Sequence, residues 1–141
     1  MRNAILTLLL LLSAIAARAQ QADSTAFKGY LLNKEYNVYM RINFHDQDVV
    51  IPGQEVFGQM AGYLCKENTV YCWMITDVTI DRNKALLEMA NDYGSEDLTA
   101  TLTRENDSVY TLRQQSGSTI KVPNKSKWQK LPATLTFMLK R

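Results

Sequence analysis

Glu35-Tyr36-Asn37-Val38-Tyr39-Met40-Arg41-Ile42-Asn43-Phe44 is the stretch on which the fold turns. Tyr36, Val38, Met40, Ile42 and Phe44 alternate with Glu35, Asn37, Tyr39, Arg41 and Asn43. Side chains of a strand point to opposite faces at period two, so one apolar row faces inward and one polar row outward. A helix would scatter the same five apolar groups around its circumference. Leu98, Ala100 and Leu102 alternate with threonines in the same way, and Leu135, Phe137 and Leu139 repeat the pattern near the end.

Between these segments lie further strand candidates: 27–32, 49–51, 54–57, 63–67, 70–75, 86–90, 108–113 and 119–122. Polar or glycine-containing breaks separate them, among them Asn33-Lys34, His45–Asp48, Pro52-Gly53 and Gln115–Gly117. Short strands at regular spacing predict an all-β domain. About eight to ten strands in one small domain curl and close, so a small antiparallel β-barrel is expected. An open β-sandwich is the alternative.

At the front, Arg2 precedes an apolar run from Ala4 to Ala17, and Ala17-Arg18-Ala19 supplies small residues around a peptidase site. The run is shorter than the roughly 20 residues of a membrane span. It has the form of a signal peptide over residues 1–19, with Gln20 as the new terminus. No Cys follows it as an acceptor for a lipid anchor. Residues 20–25 read as a flexible leader and 26–141 as one domain. The expected location is the periplasm or the outside of the cell, without a membrane span.

Loss of Arg2 and Arg18 leaves 14 bases against 14 acids. A nucleic-acid binder would carry a basic excess, so none is expected as a partner. The charges are unevenly placed: all 14 acids precede Ser108, while Arg113, Lys121, Lys125, Lys127, Lys130, Lys140 and Arg141 follow it. Either late strands pair with earlier acidic ones, or a basic face meets an acidic partner.

Cys65 and Cys72 are the two cysteines. A turn at Asn68-Thr69 would set Lys66 opposite Tyr71 and Cys65 opposite Cys72, within reach of a disulfide. A register slipped by one residue would put the sulfurs on opposite faces. Two Cys and one His make no zinc set, and neither Asp46-x-Asp48 nor Asp81-x-Asn83 continues as a calcium loop, so neither metal nor cofactor is expected. His45 is the single histidine and lies in a polar turn; no G-x-S-x-G elbow supplies a nucleophile for it. Glu88, Asp92, Glu96 and Asp97 form a loose acidic group that reads as turn solvation. No catalytic set emerges.

The order of features resembles a small β-barrel domain of secreted and periplasmic proteins from Bacteroides-type bacteria. Phe27-Lys28-Gly29 looks like its opening aromatic-x-Gly, Gly53 like its sharp turn, and Lys127-Trp128 before Leu135-Thr136-Phe137 like its close. Leu87-Glu88 falls in the expected Leu-Glu strand. Gln54, Val56 and Phe57 stand where that family repeats Tyr, and a glycine near Trp73 is missing. The resemblance implies fold and compartment and no known activity. In such a host, Asp23-Ser24-Thr25 and Asp107-Ser108-Val109 match a short O-glycosylation pattern, making Ser24 and Ser108 candidate sugar carriers.

These features together point to a non-enzymatic binding or inhibitor-like domain with an unidentified protein or glycan partner. Its handles would be Tyr39, on the polar row of its strand, and Lys121, Lys125, Lys127 and Lys130. A lipocalin-like carrier of a small apolar ligand is the alternative, and it requires a cavity inside the barrel.

Overall fold

The computed structural model describes residues 25–141. The expected signal peptide over residues 1–19, most of the expected leader and Ser24 lie outside the described residues. Eight strands close into an antiparallel barrel: β1 (Lys28–Asn33), β2 (Val38–Asn43), β5 (Gly62–Lys66), β6 (Cys72–Asp81), β7 (Lys84–Asn91), β8 (Asp97–Arg104), β9 (Val109–Gly117) and β12 (Thr134–Leu139). Each pairs with the next in that order, and β12 returns to β1, so the path is up-and-down. Two small ribbons are inserted: β3 (Val49–Val50) with β4 (Gln59–Met60), and β10 (Lys121–Asn124) with β11 (Lys127–Lys130). The closed barrel is the architecture, rather than the open sandwich.

The alternation in the deciding segment sets the wall. Val38, Met40 and Ile42 are buried inside, and Tyr39 and Arg41 face outward. Leu64, Trp73, Leu87, Ala100, Leu112 and Phe137 come from other strands and join the same contiguous core. Phe27 plugs one barrel end. Its ring stacks on Phe44 at 5.5 Å, meets Tyr110 edge-on at 5.7 Å, and its main-chain N–H donates to the Tyr110 hydroxyl. The β10–β11 ribbon caps the other end, where Ile120, Val122 and Leu131 are buried in the main core.

Three local expectations are corrected. The strand expected over Gln54–Phe57 is a 3-10 turn over Glu55–Phe57, with all three side chains exposed. The break expected at Gln115–Gly117 lies inside β9. There the register with β8 shifts, so that Thr99 faces Ser116 while Ala100 faces Gln114. Gln115 is thus the extra residue of a bulge, and a bulge bends and twists the strand. Gly117 ends it at φ 91°, and a Cβ there would stand 2.6 Å from the Asp97 carbonyl. The deciding strand itself begins at Val38, because Asn37 turns the chain with φ 52°. Tyr36 and Phe44 still reach the core from the flanking turns.

The Cys65–Cys72 disulfide forms as the register expectation required, with a Cα–Cα distance of 4.1 Å. The turn is wider than expected: Glu67 N–H donates to Asn37 O, while Lys66 N–H donates to Tyr71 O. Tyr71 N–H turns instead to Thr69 Oγ1. Cys65 and Cys72 face each other at the short spacing of a non-hydrogen-bonded pair. The bond lies on the outer wall in a small second core with Tyr63 and Met74, covered by Val49 and Ile51 of the first ribbon. No helix among the described residues is long and apolar enough to cross a membrane.

Candidate functional site

The capped end of the barrel carries the candidate site. β5–β6 and β7–β8 turn at this end, and the β10–β11 ribbon lies across it. Three side chains dock the ribbon. Trp73 Nε1 donates to Lys121 O at 3.1 Å. Gln114 Oε1 accepts from Ile120 N–H at 2.8 Å, and Gln114 Nε2 donates to Pro132 O at 2.9 Å. Lys121 Nζ meets Glu96 Oε1 at 3.2 Å.

Docking in this way leaves a cleft of about 330 Å³ between the ribbon and the two turns, lined by Tyr71, Trp73, Tyr93, Trp128, Asn91, Glu96 and Lys121. Ligand pockets begin at roughly this size, about 300 Å³. Four of its seven lining residues are aromatic. Trp73 forms a buried floor, while Tyr93 and Trp128 are 78 % and 57 % exposed. Tyr71 meets Trp128 edge-on with centroids 4.6 Å apart. Its phenol is held above the ordinary tyrosine pKa, first by desolvation and then by a hydrogen bond to Tyr93. Exposed aromatic surface costs hydration, and a protein surface rarely gathers it without use.

Trp128 has a second role. It also borders a concavity of about 380 Å³ at the ribbon tip, shared with Asn124, Lys125, Ser126, Lys127 and Gln129. Lys125 and Lys127 are exposed there, and Lys130 is exposed at the base of the ribbon. Lys121 faces Lys130 across the ribbon, and Lys127 faces Asn124. The expected lysine handles thus share one ribbon, although Lys121 is half-buried and ion-paired. Tyr39 is not among them. It lies on the outer wall near the disulfide, edge-on to Tyr63 at 5.9 Å. Burial and Tyr39 together raise the Tyr63 phenol well above its usual range.

The polar groups with catalytic potential are separately employed. Asn43 Nδ2 donates to Asp46 Oδ2 and to Asp48 Oδ1, so this acidic pair shapes the turn that holds His45. His45 is exposed. Asp92 Oδ2 accepts from Cys72 N–H at 3.2 Å, Glu96 holds Lys121, and Glu88 is exposed on β7. Among the described residues no group of three or more His, Cys, Asp or Glu side chains could hold a metal ion. Ser108 is half-exposed at the opposite end of the barrel, where its hydroxyl accepts from Arg141 at 3.2 Å.

A larger groove of about 700 Å³ runs beside β1 and β12. Leu31–Leu139 and Leu32–Met138 pair across this seam, Lys140 N–H donates to Tyr30 O, and Asn33 Nδ2 bridges it by donating to Thr136 O. Its lining mixes Lys34, Glu35, threonines and aliphatic groups. It has neither the aromatic wall of the cleft nor the one-signed charge of the ribbon tip. No known family model, curated protein or solved structure matches this chain.

Proposed function

We propose that this chain is an exported, non-enzymatic binding domain that meets a protein or glycan partner at its capped barrel end. The observation that carries this reading is the meeting of an aromatic cleft and exposed lysines on one ribbon, joined at Trp128. Rigid aromatic side chains supply contact area at low entropic cost, and like charges steer a complementary partner. The inward side chains pack into one continuous core, which favours recognition on the outside over cargo in a chamber. The disulfide suits an oxidising compartment, and the Arg2-led apolar run with Ala17-Arg18-Ala19 supports export through a cleaved signal peptide.

The test is affinity capture from the native extracytoplasmic fraction with the wild-type protein and with a Lys125→Glu, Lys127→Glu, Lys130→Glu variant. A partner retained by the wild type and lost by the folded variant is expected. Equal retention by both overturns the reading. A lipid extracted in stoichiometric amount from purified native protein would favour the apolar carrier instead.

A further inference from the structure

We infer that the cleft at the capped end binds an anionic saccharide, with aromatic rings taking the sugar face and the ribbon lysines taking its acid groups. This inference rests on the binding-domain reading and narrows it to a ligand class.

The chemistry begins with the cleft walls. A pyranose presents one face of C–H groups and a rim of hydroxyls. The C–H face suits an exposed aromatic ring, whose face is electron-rich. Tyr93 and Trp128 offer such rings at 78 % and 57 % exposure. Trp73 closes the floor, with its indole N–H already committed to Lys121 O. The polar lining suits the hydroxyl rim: Glu96 and the Tyr71 and Tyr93 hydroxyls accept and donate at the cleft border.

Charge selects among sugars. Within the cleft, Glu96 and Lys121 pair and cancel. Beyond Trp128 the ribbon tip carries Lys125 and Lys127, Lys130 stands at the base of the same ribbon opposite Lys121, and no acid follows Asp107 in the chain. A cationic ligand seated on these rings would be repelled by the tip. A neutral sugar would leave the lysines unused. A carboxylate or sulfate on the neighbouring sugar unit would reach them. A long nucleic acid fits less well, although bases also stack on aromatic rings. Residues 25–107 carry 13 acids against 7 bases, so an extended polyanion meets repulsion once it leaves the ribbon.

The molecule carries its own reporter. Both tryptophans of the chain, Trp73 and Trp128, line this cleft, so intrinsic tryptophan emission reads it without a label. The experiment titrates the protein with an oligomer of galacturonic acid, with dextran sulfate, with neutral dextran and with an oligothymidylate. Emission is read for the wild type, and calorimetry for Trp128→Ala, Tyr93→Ala and Lys127→Glu. The expected result is saturable binding of at least one acidic saccharide, weakened tenfold or more by either aromatic truncation and also weakened by Lys127→Glu. The two acidic probes separate carboxylate from sulfate recognition. Both aromatic side chains are exposed, so the truncations leave the fold intact, which circular dichroism checks.

Four outcomes overturn the inference. They are binding of neither acidic saccharide, equal binding of neutral dextran, tighter binding of the oligonucleotide, and acidic-saccharide binding that survives Trp128→Ala. The last would reduce the effect to bulk charge. In each case the lysine-dependent capture experiment still decides the binding-domain reading by itself.

Discussion

The indole N–H of Trp73, on the barrel wall, donates to the main-chain carbonyl of Lys121 on the capping ribbon, at 3.1 Å. One side chain therefore fills the core, floors the cleft and holds the ribbon that forms the cleft's other side. Trp73 is 2 % exposed, so its N–H has no water to fall back on. Trp73→Phe keeps most of the packing and removes the donor. The Lys121 carbonyl then loses its partner, at a cost of about 1–3 kcal/mol. Urea denaturation should show this loss. Trp128, left as the single tryptophan, should also become more accessible to an aqueous quencher as the ribbon loosens. Unchanged stability and quenching would contradict the docking role.

The disulfide should be hard to reduce in the folded state. Cys65 and Cys72 are 0 % and 1 % exposed beneath Val49 and Ile51. Reductant should leave the bond intact until denaturant opens the small second core, and thiol labelling of the native protein measures this directly. Removing the bond by a Cys65→Ala, Cys72→Ala pair should cost no more than about 2–4 kcal/mol, because the closed loop is short. Rapid labelling without denaturant would mean that the ribbon does not cover the bond.

Much of the barrel was legible because most of its strands bury one face and so alternate. The disulfide register was legible for the same reason. The rest was illegible for physical reasons. β6 was expected to stop at Ile75, yet it runs to Asp81. Trp73 and Ile75 face inward, then Val78 and Ile80 do, because the register with β7 shifts between Ile75 and Asp77 and reverses the phase. Period-two reading fails across such a shift. β11, Lys127–Lys130, has no buried residue, so it offers no apolar row to read. The cleft was hidden for a further reason. Tyr71, Trp73, Tyr93 and Trp128 looked scattered along the chain, and only closure of the barrel with its cap brings them to one wall. A local signal was that Tyr93 and Trp128, both near turns, sit among polar residues where no core could use them.

The opposite end depends on Phe27. It is fully buried yet holds φ 57°, a conformation that a bulky residue adopts only under constraint. Its contacts with Phe44 and Tyr110 supply that constraint. Phe27→Ala should cost about 3–5 kcal/mol, typical of deleting a buried aromatic side chain. Thermal unfolding followed by tyrosine circular dichroism would measure it. Phe27→Leu should recover a large part of the loss, since it refills the plug. A cost below about 1 kcal/mol for the alanine variant would show that the barrel end closes without the plug.

Asp92 makes the pH dependence testable. Its Oδ2 accepts from Cys72 N–H, but Oδ1 is buried without a hydrogen-bond partner. Desolvation raises its pKa above the ordinary 3.8, and the Cys72 bond only partly offsets this. The sign follows from proton counting. Between the unfolded and folded pKa values the folded chain binds more protons, so this group's contribution to stability falls as pH rises through that window. It is most favourable below the ordinary carboxylate value and least favourable at neutral pH. Asp92→Asn keeps an acceptor for Cys72 N–H and removes the buried charge. The variant should therefore be more stable than the wild type at pH 7, and the difference should shrink as pH falls below the ordinary carboxylate pKa. Urea midpoints of both proteins across the acid range test this. A variant less stable at pH 7 would mean that the ionised carboxylate is favoured at the cleft border, through the tyrosine hydroxyls nearby, and that its Oδ1 is not stranded.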